Sequence, residues 1–309
     1  VIRRRKIALI GAGNIGGTLA LLIGLRNIGD VVLYDVVEGM PQGKALDISH
    51  LAPILGCDFL VTGTNDIQDI KDADVCIVTS GIARKPGMSR DDLVKTNAQI
   101  IQSVGEKIAE FAPSSFVIVI TNPLDAMAYL MYKVTGFSKN KVVGMAGVLD
   151  TGRYQAFLAE ALNVSVQSVS AFVLGGHGDD MVPVRSYTTC NGIPVGKLLE
   201  ATQLDAIEQR VRGAGGEVVS LLKTGSAYYS PAAAAVQMVE AYLFDQRRAL
   251  PAASYLDGEY NIHGIYLGVP IILGKGGVEK VLEIELSSNE QEALKVSASR
   301  VAELISTLN

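Results

Sequence analysis

Apolar positions in the first half of the chain come in short unbroken runs, each followed by a stretch with helical spacing. "KIALIGAG" (residues 6–13) predicts a strand, with a helix from Ile15 to about Arg26 behind it. "DVVLYD" (30–35) predicts the next strand, and a helix follows from about Gln42 to Leu51. Three more strands are expected at "DFLVTG" (58–63), "DVCIVTS" (74–80) and "SFVIVITN" (115–122). Strands so continuously apolar are covered on both faces, as parallel strands under crossover helices are. "DLVKTNAQIIQSVGEKIAEFAP" carries apolar residues near helical spacing and ends at Pro113, where a helix should stop. The alternation predicts an α/β fold built on a doubly wound parallel sheet.

After "KVVGMAGVLD" the pattern changes. "TGRYQAFLAEALNV" predicts a helix, "VSAFVLGG" a strand, and "YTTCNGIPVGKLL" a strand, a turn and a short helix. A long helical region runs from about Leu204 to Tyr242 and, because it carries "GAGGE" and "KTGSAYYSPAAAAVQM", is expected to be interrupted. "GIYLGVPIILGKGGVEKVLEIELS" predicts antiparallel strands with glycine-rich turns, and "NEQEALKVSASRVAELISTL" a closing amphipathic helix. The division falls between residues 148 and 149, giving an α/β domain over 1–148 and an α+β domain over 149–309. A chain of 309 residues has the size at which one core tends to split in two.

Composition narrows the possible partners. With 49% apolar residues the chain is not a disordered one. A net charge of −5 weighs against a nucleic-acid binder, which needs a basic surface. "VIRRRK" is basic but lacks the apolar stretch and cleavage site of a secretory signal, and no apolar run is long enough to span a membrane. Cys57, Cys76 and Cys190 are widely spaced, with no CxxC pair. Neither a disulfide scaffold nor a zinc site is indicated, and a reducing cytoplasm fits best.

"GAGNIG" ends the first strand and opens the first helix, and Asp35 ends the next strand 19 residues after Gly16. That setting turns a weak motif into a specific one, the fingerprint of a Rossmann dinucleotide-binding domain. Gly11 allows the tight turn, Gly13 lets backbone approach a pyrophosphate at the helix N-terminus, and Gly16 permits close helix packing. Ala12, Asn14 and Ile15 complete the loop. Asp35 would accept hydrogen bonds from the adenosine ribose diol and repel a 2′-phosphate, which favours NAD over NADP. An FAD enzyme shares the fingerprint but needs further segments that this chain lacks.

Several segments together, in order and spacing, resemble the lactate/malate dehydrogenase family, closely its lactate-dehydrogenase-like malate dehydrogenase group. They are "GAGNIGG", "GDVVLYDVVEGMPQGKALD", "IARKPGMSRDDLVKTN", "ITNPLDAM", "GMAGVLDTGRY", "GGHGDDMVP" and "LLKTGSAYYSPAAA", and they cover essentially the whole chain. The resemblance implies hydride transfer between NAD and a 2-hydroxy acid, here reversible oxidation of (S)-malate to oxaloacetate. It also implies a homodimer or homotetramer acting on a small dicarboxylate, with no nucleic-acid or membrane partner. His177 takes the family's place of proton donor and acceptor, and Asp150 that of the group orienting it. Arg153 falls on the clamp for the substrate carboxylate, Arg84 and Arg90 on the loop arginines, and Ser226 on the substrate pocket. Asn97, Ile120, Thr121 and Asn122 fall at the nicotinamide end, with Asn122 also reaching substrate.

These residue types suit that chemistry. Reducing a ketone creates an alkoxide that needs a proton near neutrality, and histidine, with an ordinary pKa of about 6.5, can give or take it. A carboxylate on its other nitrogen sets the tautomer and favours imidazolium; in "LDTGRY" Asp150 could alternatively be a helix N-cap. Arginine's planar fork matches a carboxylate, and Arg84 is the cation that would separate a dicarboxylate from lactate. The sequence also admits a lactate or other 2-hydroxy-acid dehydrogenase, or a catalytically silent NAD-binding protein. His50 with Asp47, and His263 with Glu259, could each pair on a helical face. Neither has a third ligand nearby, so no metal site is expected.

Overall fold

The structure is a computed structural model that describes residues 4–82 and 90–308. In chain order the first half runs β1 (Lys6–Ile10), α1 (Asn14–Leu25), β2 (Asp30–Tyr34), α2 (Met40–Leu55), β3 (Val61–Thr64), β4 (Val75–Val78) and α3 (Arg90–Phe111). It continues through β5 (Phe116–Val119), α4 (Leu124–Thr135) and β6 (Val142–Gly144). The second half opens with α5 (Gly147–Leu162) and five two-residue strands: β7 (Val169–Ser170), β8 (Val173–Leu174), β9 (Val182–Pro183), β10 (Thr189–Cys190) and β11 (Ile193–Pro194). Then come α6 (Ala201–Leu222), α7 (Tyr229–Leu243), β12 (Arg248–Asp257), β13 (His263–Gly274), β14 (Gly277–Val281) and α8 (Ser288–Ser306).

Among the described residues one nine-stranded sheet organises the fold, in the order β14-β13-β12-β6-β5-β4-β1-β2-β3. The six strands from β3 to β6 are parallel. Every residue of β4 and β5 is buried, as the unbroken apolar runs require. The chain winds outward from β1 in both directions, so the C-terminal ends of β1 and β4 border the switch point where open α/β sheets bind ligands. The long hairpin of β12 and β13 extends the same sheet, joining β6 antiparallel at Ala253 and Gly144.

Several boundaries differ from the sequence expectation. β3 begins three residues later than "DFLVTG" suggests, and α2 runs from Met40 through Pro53 to Leu55. "VSAFVLGG" is two short strands in different sheets, because β7 pairs with β10 while β8 turns back on β9. The long helical region breaks once, at 223–228; "GAGGE" stays helical inside α6. Among the described residues no helix is long and apolar enough to cross a membrane.

Candidate active site

The glycine-rich stretch around His177 is the loop of a hairpin. Val173 pairs with Pro183 and Leu174 with Val182, which leaves residues 175–181 as the connection. Gly175 adopts φ +83°, a region that L side chains rarely enter, and exchanges backbone hydrogen bonds of 2.8 and 3.1 Å with Gly268 on β13. A Cβ at Gly176 would stand 2.8 Å from Val301 on α8. These glycines let the loop press onto β13 and α8 while His177 keeps a partly open ring, its side chain 18% exposed.

Two elements meet that ring. α5 is capped at Ala146, not at Asp150, so the capping alternative for Asp150 does not hold. Instead Asp150, buried in the first turn of α5, accepts a hydrogen bond from His177 Nδ1 at 2.7 Å through Oδ2. Its Oδ1 accepts from Arg153 Nη1 at 3.0 Å, one helical turn on. From α4, Asp125 Oδ2 accepts the backbone N–H of His177 at 2.9 Å. Burial pulls the His177 pKa down, but the charge and hydrogen bond of Asp150, with Asp125 behind it, outweigh burial and Arg153, so the net direction is upward. Arg153 is mostly buried, with its guanidinium close to the Gly215 backbone of α6.

The dinucleotide loop lies at the switch point. Gly11, at φ +114°, has no room for a side chain: a Cβ would be 2.4 Å from Thr79 Oγ1 and 2.8 Å from the Ser80 nitrogen. At Gly16 a Cβ would stand 1.9 Å from the Gly11 carbonyl oxygen, so only glycine lets α1 dock here. Gly13 is different: exposed at the N-terminus of α1, its Cβ would meet nothing within 4 Å. That open floor over unpaired helix N–H groups fits a pyrophosphate. Asp35 is half-buried at the end of β2, its Oδ2 accepting the Ala12 N–H at 2.7 Å and its Oδ1 the Val37 N–H at 3.0 Å. Lys44 of α2 donates to the Gly13 carbonyl at 2.8 Å, a contact that "QGKALD" gave no reason to expect.

The other predicted residues sit at the C-terminal edge of the sheet or beyond it. Asn97, buried in α3, accepts from the Ile82 N–H and donates to the carbonyls of Ile82 and Asn122. It braces the segment after β4 to the segment after β5. Ile120 and Thr121 are buried, Thr121 donating to the Ser80 carbonyl at 2.7 Å, while Asn122 is exposed beside them. Asn14 is exposed, and Ile15 half-buried, in the first turn of α1. Ser226 is exposed in the 223–228 connection. Arg84 lies outside the described residues, as does the side chain of Arg90, whose backbone opens α3. No group of three or more metal-ligating side chains occurs among the described residues.

Residues 5–144 match the family described as lactate/malate dehydrogenase, NAD binding domain, and residues 147–308 match its alpha/beta C-terminal domain. A malate dehydrogenase of Methylobacterium radiotolerans is 56% identical over 307 residues, covering 98% of this chain and 96% of that protein. Among solved structures, malate dehydrogenase from Salinibacter ruber superposes with a TM-score of 0.94 at 48% identity, over 98% of this chain and 97% of the other. Lactate dehydrogenase from Cryptosporidium parvum, complexed with lactic acid and nicotinamide adenine dinucleotide, gives 0.97 at 46% identity, over 100% and 99%. Enzymes named for either acid thus share this fold, and the substrate must be argued from side chains.

Proposed function

The chain belongs to the lactate/malate dehydrogenase family, and on that premise we propose that it interconverts (S)-malate and oxaloacetate with NAD. The observation that carries the reading is the continuous chain His177–Asp150–Arg153, with links of 2.7 and 3.0 Å. One carboxylate thereby orients both a proton-transfer group and a carboxylate-binding cation.

When bound, the nicotinamide supplies or accepts the hydride. Loop residues 11–16 and the N-terminus of α1 would hold its pyrophosphate, and Asp35 the adenosine ribose. Asn97, Ile120, Thr121 and Asn122 would shape the nicotinamide end, Asn97 through the backbone it braces. An ionised Asp150 has no proton to donate and can only accept at Nδ1, so that nitrogen keeps its proton and Nε2 is the one that exchanges. In the reducing direction His177 protonates the developing alkoxide; in the oxidising direction it takes the hydroxyl proton. Arg153 grips the carboxylate next to the reacting carbon. By the family resemblance Arg84 would meet the distal carboxylate, Arg90 would serve the alkoxide, and Ser226 would line the pocket.

We further propose a nucleotide domain over 1–148 and a catalytic domain over 149–309, in a cytoplasmic homodimer or homotetramer. The break between the matched family segments at 144 and 147 supports the division, and three free cysteines support a reducing compartment. Light scattering that returns the mass of one chain would remove the assembly.

His177→Asn tests the reading. It should cut kcat/KM for oxaloacetate by roughly 10²–10⁴-fold, the usual worth of general acid catalysis, while NADH binding stays within about threefold. A loss below about threefold would move proton transfer to another group.

A further inference from the structure

Asp125 stands behind His177 and has no part in the chemistry described so far. It sits in the first turn of α4, 5% exposed, and its Oδ2 accepts the His177 backbone N–H at 2.9 Å. Its Oδ1 is buried with no hydrogen-bond partner among the described residues. A carboxylate is a costly way to satisfy a single backbone N–H, since a neutral oxygen would do so without a buried charge. The packing leaves it little freedom. A Cβ at Gly176 would come within 3.3 Å of Asp125 Oδ2, and the Gly176 N–H is itself held by Ser297 Oγ of α8 at 2.8 Å.

We infer that Asp125 is a positioning residue for His177: it fixes the backbone that carries the ring and adds a second negative charge that favours the imidazolium. Its consequence for catalysis rests on the proposed proton role of His177.

The charge balance around the ring explains why a second carboxylate matters. Among the described residues, α5 presents Asp150 and Arg153, which pair with each other at 3.0 Å and partly offset at the ring. Asp180 on the histidine loop is tied to Arg300 of α8, and Asp179 beside it is exposed. Asp125 on α4 has no such counter-ion and acts on His177 in the same direction as Asp150. Burial pushes its carboxyl up to about 6, against the N–H bond and the charge of His177. Its charge is therefore present at neutral pH and fades in the acid range.

Titration of the histidine rings by NMR in isotope-labelled protein tests this without turnover, with His50 and His263 as internal references. Asp125→Asn keeps an oxygen that can accept the N–H and removes the charge; Asp125→Ser is the second variant if the asparagine protein does not fold. Either should lower the His177 pKa by about half to one unit, leaving the other two histidines unmoved. Ser297→Ala, which loosens the loop but keeps the charge, should leave the His177 titration in place. In reduction of oxaloacetate, Asp125→Asn should lower kcat/KM about three- to tenfold above the wild-type His177 pKa. Near pH 5, where Asp125 is itself protonated, the loss should be less than about twofold. An unmoved His177 titration in the Asp125 variants, or an equal shift in Ser297→Ala, overturns the inference. A shifted ring titration with an unshifted activity profile overturns the proton role of His177 instead, and leaves the positioning by Asp125 standing.

Discussion

Under the proposed function, Arg84 is the residue on which the choice of acid would turn. Oxaloacetate and pyruvate share the keto-carboxylate end that Arg153 is proposed to bind and differ only at the distal group. A guanidinium facing a carboxylate gains a charge-assisted pair, whereas facing a methyl group it stays desolvated and unpaired. Each tenfold preference needs about 1.4 kcal/mol, so one such pair and the avoided penalty support roughly a thousandfold. Arg84→Gln should therefore cut kcat/KM for oxaloacetate steeply while activity on pyruvate holds or rises. Equal losses on both acids would remove Arg84 as the discriminator between them. His177 was legible at this scale because glycines on both sides of a titratable ring mark an unusual loop. Asp125 was not: an acidic residue in the first turn of a helix is ordinary, since it suits the helix dipole. Only the fold brings it under the His177 N–H, 52 residues away.

Elements were legible where local pattern and tertiary role agree. β1, β2, β4 and β5 are apolar runs in the sequence and buried or half-buried strands in the sheet. β12 reads "RALPAASYLD", with alanines and a proline in place of β-branched residues, and so carries no strand signal of its own. It is a strand because β6 and β13 supply partners on both sides. α4, "LDAMAYLMYKVT", was not expected from the sequence although its apolar residues gather on one face. At α1 the two kinds of glycine make separable predictions. Gly13→Ala, at φ −65° with open space ahead of it, should leave thermal stability of the ligand-free protein within about 2 °C. It should weaken NADH binding by tenfold or more, because the methyl group occupies the pyrophosphate's approach. Gly16→Ala should lower stability and binding together, since its Cβ would meet the Gly11 carbonyl at 1.9 Å. Unchanged NADH affinity in Gly13→Ala would place the phosphates elsewhere. Fluorescence titration and thermal melts read both.

At the scale of the whole molecule, the charges that serve His177 weigh on stability as pH rises. The His177 pKa is raised on folding, so its contribution is present below the unfolded value near 6.5 and is lost as pH climbs through the folded one. Asp125 is raised from 3.8 to about 6, so the folded state also holds that proton more tightly, and stability falls as pH passes from about 4 to beyond 6. For Asp125 the cost is of order 2 kcal/mol at neutrality, lightened while His177 is protonated. In urea unfolding, the stability of Asp125→Asn relative to wild type should improve by about 1–3 kcal/mol between pH 4.5 and 7.5. A difference independent of pH would mean that Asp125 is not ionised at a thermodynamic cost in the fold.

The dicarboxylate assignment is the claim from which the rest takes its meaning, and the fold does not make it, because a lactate dehydrogenase and a malate dehydrogenase both superpose on this chain, with TM-scores of 0.97 and 0.94. Steady-state kcat/KM for oxaloacetate and for pyruvate, followed by NADH oxidation at one pH and saturating NADH, decides it. A preference for oxaloacetate of roughly a thousandfold or more is the predicted result, from the charge-pairing argument at Arg84. Comparable efficiency on the two acids, or a preference for pyruvate, would contradict it.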